Sequence, residues 1–143
     1  MRCAAEENRM TFRFAALTIA LAGAMLVPTS AFAQSAGAFM TNPAYADPAP
    51  VECITTFDMQ HCAAHELRTA DARMSALYAK LRARLKPAAR QRLLAEQRKW
   101  LAQRDRGCIA KGDRYRGGTM AGVVTTQCWV DVTKARAKVL AGR

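Results

Sequence analysis

The sequence predicts an all-α fold, a small disulfide-stapled bundle of three main helices in which the first two form an antiparallel hairpin. Three observations carry this. No glycine stands between Phe39 and Arg106, and from Val51 to Arg106 the only proline is Pro87, so few residues interrupt helices there. Apolar side chains on both sides of Pro87 recur at steps of three and four, the helical period. Four cysteines, at 53, 62, 108 and 128, fall within one stretch, an even set suited to stapling a domain too small for a large core. The 143 residues allow one domain of ordinary size.

The first helix is expected to open at Thr55 or Thr56 as cap, with Asp58 near its positive end. Its apolar face reads Met59, Cys62, Ala63, Ala70, Met74, Leu77, Leu81 and Leu85, joined by Tyr78. Pro87 fits the first turn of the second helix, where no N–H is missed. That helix carries Leu93, Leu94, Gln97, Trp100, Leu101, Arg104 and Cys108 on one side and ends between Gly107 and Gly112. The short Lys86-Pro87 junction makes the pair antiparallel. After a loop over residues 112–118, a third helix begins near Thr119, with Val124, Cys128, Val132, Ala135, Val139 and Leu140 at helical spacing. The β-branched run Val123 to Thr126 weakens that helix locally.

Ahead of these elements lies an export signal. Arg2, Arg9 and Arg13 precede the uncharged stretch Phe14 to Val27, and Ala31-Phe32-Ala33 supplies the small residues a signal peptidase reads. Cleavage is expected near Ala33, with translation starting at Met1 or Met10. The apolar run is shorter than the roughly 20 residues of a spanning helix, so the chain is expected in the periplasm or secreted. Residues 34–52, rich in Ala and Pro, are expected to form a flexible linker before a helical domain over 53–143.

In such a compartment four cysteines imply two disulfides. Sequence order favours Cys53 with Cys62 and Cys108 with Cys128. The hairpin also brings Cys62 toward Cys108, which leaves the pairing Cys62–Cys108 with Cys53–Cys128 open. His61 and His65 lie four apart but lack further ligands at zinc spacing. No metal and no cofactor are expected.

Several polar residues fall on core-facing positions: Asp71 on the first helix, Gln97, Trp100 and Arg104 on the second, Arg136 on the third. A charge on a core face has to be paired. Asp71 is therefore expected to bond Arg104 or Arg136, with Gln97 nearby, as a structural network. No Ser-His-Asp set and no acid/base carboxylate pair stands out, so no catalytic residue is assigned and an enzyme is not expected.

These residues also carry a family resemblance. Cys53-x8-Cys62 is followed by Ala70-Asp71, Leu77-Tyr78 and Leu93-x3-Gln97-Arg98-x-Trp100-Leu101-x2-Arg104-Asp105-x2-Cys108. Then come Gly117-Gly118, Cys128 and Thr133-x2-Arg136-x3-Leu140. Over about residues 53–140 the chain resembles the LprI-type lysozyme inhibitor domain of exported bacterial proteins. The resemblance implies a secreted helical domain that inhibits lysozyme or another peptidoglycan muramidase. Met74-Ser75 stands where the family often has Leu-Asn.

Charge bears on the partner. The chain has 22 Lys and Arg against 11 Asp and Glu. Residues 80–116 hold 13 of the basic residues and three acidic ones, so the excess sits on the end of the first helix, the second helix and the loop after it. Within that loop Lys111, Arg114, Tyr115 and Arg116 are the candidate inhibitory residues, able to reach the carboxylates of a muramidase cleft. The alternative is a non-catalytic basic module that binds anionic components of the cell envelope, touching a membrane only at its surface. Nucleic acid does not fit the export signal, and the aromatics are not interleaved with the basic run.

Overall fold

A computed structural model describes residues 35–143; the signal peptide expected over 1–33 lies outside the described residues. Helix α1 spans Ala36–Met40, α2 Thr56–Arg84, α3 Pro87–Gly112 and α4 Met120–Ala141. Short 3-10 turns cover Pro43–Tyr45 and Asp113–Tyr115. The fold is all-α among the described residues.

Local chemistry explains the boundaries. Thr55 caps α2 in a capping box: its hydroxyl accepts from the Asp58 N–H and the Asp58 carboxylate accepts from the Thr55 N–H. The Thr55 hydroxyl also donates to the Asp58 carboxylate at 2.7 Å, and this bond, followed by that from the Thr55 N–H, holds the Asp58 carboxyl below the usual carboxylate range. Pro87 is the first residue of α3. The β-branched start of α4 remains helical, with Thr125 and Thr126 donating their hydroxyls to the carbonyls of Ala121 and Val123.

Helix α4 is the centre of the bundle and packs against both α2 and α3. Small residues let α2 approach closely: Ala63, Ala64 and Ala70 are buried on that side. The antiparallel pair α2 and α3 stands further apart, and long side chains fill the gap. Gln97 reaches Met74 at 3.5 Å and Arg104 reaches Asp71 at 3.6 Å.

Two apolar clusters result. One, at the start of α2, gathers Ala63, Ala64, Leu67, Trp129 and Val130 around the Cys108–Cys128 bridge. The other gathers Met74, Leu81, Leu93, Ala137 and Leu140 toward the α2–α3 junction. Leu67, fully buried, was absent from the expected face of α2. Helix α4 departs from part of its expected face: Ala135 and Val139 are exposed, while Thr126, Trp129 and Thr133 join the expected Cys128, Arg136 and Leu140 in facing inward. Polar side chains occupy part of its inner face, so apolar spacing alone misplaces it.

The segment expected as a flexible linker is instead a folded strap. Ser35 caps α1, Ala36 and Phe39 are buried, and the Phe39 ring lies 5.6 Å from that of Trp129. Arg68 of α2 clamps the strap by donating to the carbonyls of Met40 and Tyr45, at 3.2 and 3.0 Å, and to Asp47 at 2.6 Å. Composition suggested looseness, but one aromatic and one arginine fix the segment. The histidines serve it too. His61 Nε2 lies 2.6 Å from the Ala46 carbonyl, and His65 Nδ1 lies 2.7 Å from Asp47. Arg68, with His65 beside it, holds the Asp47 carboxyl below its ordinary range.

Candidate functional site

The polar residues singled out in the sequence meet between the two apolar clusters. Arg104 is 5 % exposed and Arg136 7 %, so each needs anionic or polar partners. Arg104 donates from Nε to Asp105 at 3.0 Å and from Nη1 to Thr133 at 3.3 Å, with Asp71 at 3.6 Å. Arg136 donates from Nε to Gln97 Oε1 at 3.0 Å, and its Nη1 lies 2.9 Å from Glu96. Both guanidinium groups lie over Trp100, at 5.3 and 5.6 Å from the ring centroid. Trp100 is thus the common platform of two buried cations.

Asp71 is the longest contact in this set, and Arg136 bonds Glu96 and Gln97 rather than Asp71. Glu96, Asp105 and Thr133 had been missed as members. Their signal was adjacency: Glu96 and Asp105 each neighbour a residue already placed on the core face, and Thr133 lies one turn before Arg136. Asp105 also accepts the Ala36 N–H at 3.4 Å, which joins the network to the strap. Arg143 donates to both oxygens of Glu96 and, with Arg136, keeps its carboxyl below the usual range. The carboxylates here are tied to arginines, an arrangement that fixes helix register.

The loop residues stand apart, at the end of the bundle where α2 begins, α3 stops and α4 starts. Arg114, Tyr115 and Arg116 are all exposed, as is Lys111, which belongs to the last turn of α3 rather than to the loop. Arg116 pairs with Asp113 at 3.0 Å; Lys111 and Arg114 have no ion-pair partner among the described residues. Gly117, at φ +91°, turns the chain in a conformation that suits glycine. The Cys108–Cys128 bridge ties α3, about one turn before the loop, to α4, and the Cys53–Cys62 bridge ties the segment before α2 to its second turn.

Around this end the structure adds residues that sequence reasoning left out. Val51, Ile54, Phe57 and Met120 are exposed apolar side chains. Phe57 is braced by Tyr45, with ring centroids 5.4 Å apart. Below them is a cavity of about 250 Å³ with Phe39, Ile109 and Trp129 on its walls and Gln60, Asp113 and Thr125 among its polar lining. Glycines make this close meeting of three helices possible. A Cβ at Gly112 would stand 1.9 Å from Thr125 Oγ1, and one at Gly122 would stand 2.6 Å from Gln60 Oε1. This end can offer guanidinium groups to carboxylates and apolar rings to a concave partner.

Among the described residues no group of three His, Cys, Asp or Glu side chains is placed to hold a metal, and no helix is long and apolar enough to cross a membrane. No curated protein and no solved structure matches the chain. The family model described as lysozyme inhibitor LprI matches residues 48–140, from the end of the strap to the last turn of α4. This chain therefore belongs to the lysozyme inhibitor LprI family.

Proposed function

We propose that the chain is an exported inhibitor of a lysozyme-type muramidase, presenting the loop end of the bundle to the enzyme's cleft. The observation that supports this most is Arg114. It is exposed and without an ion-pair partner among the described residues, on a loop about one turn past a disulfide and flanked by the half-exposed ring of Tyr115. Muramidase chemistry relies on two carboxylates, and a guanidinium forks onto a carboxylate with two parallel hydrogen bonds. Lys111 and Arg116 add positive charge around it, and Phe57 and Met120 supply apolar area. The protein acts by occupying a site and carries out no reaction itself.

Charge narrows the partner. Without residues 1–33 the chain keeps 19 basic against nine acidic residues, and two strongly basic proteins repel at long range. An acidic or neutral wall hydrolase fits better than a strongly basic lysozyme. The export signal read from residues 1–33 supports a working protein in the periplasm or outside the cell.

The test uses residues 34–143 purified with both disulfides formed. Lysis of cell-wall substrate is followed with several muramidases of different isoelectric point. The expected result is stoichiometric inhibition of at least one, weakened at least tenfold by Arg114→Ala together with Tyr115→Ala. If micromolar protein slows none of them, the reading is wrong.

A further inference from the structure

The opposite end of the molecule has a different character. From Ala72 to Ala95 the chain has seven basic residues, Arg73, Lys80, Arg82, Arg84, Lys86, Arg90 and Arg92, and no acidic one. All are exposed. They cover the last turns of α2 and the first turns of α3, the two sides of the hairpin tip. Arg90 is engaged locally, donating to the carbonyls of Leu85 at 2.7 Å and Ala83 at 3.3 Å. None of the seven is in an ion pair among the described residues; Arg98, Lys99, Arg106, Lys111, Arg114 and Lys138 are unpaired too, but only the seven share so long a stretch without a carboxylate.

The tip also projects. Helix α4 ends at Ala141, and Arg143 just past it reaches Glu96, more than two turns into α3, so the first turns of α3 lie beyond the end of α4. Its apex presents exposed Ala83, Pro87 and Ala88 between the cations. Arg82 and Arg90 line an open hollow of about 390 Å³ with Tyr78, Ala79 and Ala83, but the other five cations lie outside it, and a set spread over both helices can face several charges of a plane at once. Long Lys and Arg stems around small apolar residues suit such a boundary.

We propose that the hairpin tip docks on the surface of an anionic phospholipid bilayer. The contact is peripheral and electrostatic, with no insertion, and leaves the loop end, at the far end of the molecule, pointing away from the lipid. It does not depend on the muramidase reading, because the two ends share no residue.

Binding is measured by co-sedimentation of residues 34–143 with vesicles, in the absence of any muramidase. One set contains about a third phosphatidylglycerol, the other phosphatidylcholine alone. The expected result at 0.1 M salt is capture by the first set only, with release as salt is raised. A tip variant carrying Lys80→Gln, Arg82→Gln, Arg84→Gln, Lys86→Gln and Arg92→Gln should bind at least a hundredfold more weakly, since each cation near such a surface contributes about fivefold. A control with Lys111→Gln, Arg114→Gln and Arg116→Gln should lose far less. Circular dichroism establishes that both variants keep their helices. Equal binding of tip variant and parent, or a larger loss in the control, overturns the proposal. So does binding to phosphatidylcholine vesicles as tight as to the anionic set. Capture by lipid-free wall sacculi while anionic vesicles leave the protein in solution overturns it in favour of a wall ligand. Full competition by millimolar inorganic phosphate would mean a discrete anion site instead.

Discussion

The guanidinium of Arg136 lies over the indole of Trp100, 5.6 Å from the ring centroid, while its Nε holds Gln97 one turn away on the same helix. One α4 side chain thus reads two positions of α3 and sets how the helices register. Replacing Trp100 by Leu should cost about 2 kcal/mol in lost packing and cation–π contact. A double-mutant cycle with Arg136→Met should give a coupling near 1 kcal/mol, measured by denaturant unfolding. Additive losses would mean that the stacking contributes nothing.

Stability should fall on the acid side. The Glu96 carboxyl sits below its ordinary value of 4.5, chiefly through the bonds from Arg143 and then Arg136. Asp47 and Asp58 are depressed as well. A carboxyl lowered in the folded state stabilises above its unfolded pKa and loses that contribution as pH falls through the folded one. The midpoint of urea unfolding should therefore be level near neutrality and decline from about pH 5 downward. Glu96→Gln should flatten part of that decline, and an unchanged profile in this variant would refute the assignment.

Two glycines separate by what stands next to them. At Gly112 a Cβ meets the Ala121 carbonyl at 2.8 Å as well as the Thr125 hydroxyl at 1.9 Å, and backbone cannot step aside. Gly112→Ala should cost about 3 kcal/mol. At Gly122 the obstruction is the end of the Gln60 side chain, which can swing away, and the better helix propensity of alanine offsets that shift. Gly122→Ala should stay within about 1 kcal/mol of the parent. Thermal unfolding of the two variants decides it.

Much of the fold was legible because helix signals are local. The lack of glycine, the Thr55 cap and Pro87 each act within one or two turns, and α2 and α3 start where Thr55 and Pro87 place them. The polar network was readable to the extent that a charge on an apolar face demands a partner. Which partner it takes depends on helix separation and rotation. Asp105 and Glu96 prevailed over Asp71 because α2 stands away from α3 while α4 lies close to both. The strap was not legible, since Phe39 and Arg68 are 29 positions apart and neither lies in a periodic pattern. The exposed apolar side chains Val51, Phe57 and Met120 were hidden for the same reason, since they come from three separate segments.

The two bridges should differ in weight. Cys108 and Cys128 close 20 residues of separation and join α3 to α4, whereas Cys53 and Cys62 close nine at the exposed start of α2. Chain entropy puts the larger loop near 3 kcal/mol. Cys108→Ser with Cys128→Ser should lower stability by about that amount and loosen the loop around Tyr115. The Cys53→Ser, Cys62→Ser pair should cost less and leave the unfolding of α3 unchanged. The reverse ranking in denaturant titrations would contradict this.

The strap also has a consequence for the order of events in folding. Its anchors are the most distant in sequence: Ala36 bonds Asp105 across 69 positions, and Phe39 rests on Trp129. The α2–α3 hairpin, by contrast, turns on the two residues Leu85 and Lys86, and its Met74–Gln97 contact spans only 23 positions. Because long loops are costly to close before other contacts are in place, the strap, although it precedes the three long helices in the chain, should be the last part to settle. In a Trp100→Phe variant, the fluorescence of Trp129 should reach its native value after the helical circular dichroism signal has finished rising. Simultaneous recovery of the two signals would mean that the strap forms with the bundle, and the window in which Trp129 lies uncovered would not exist.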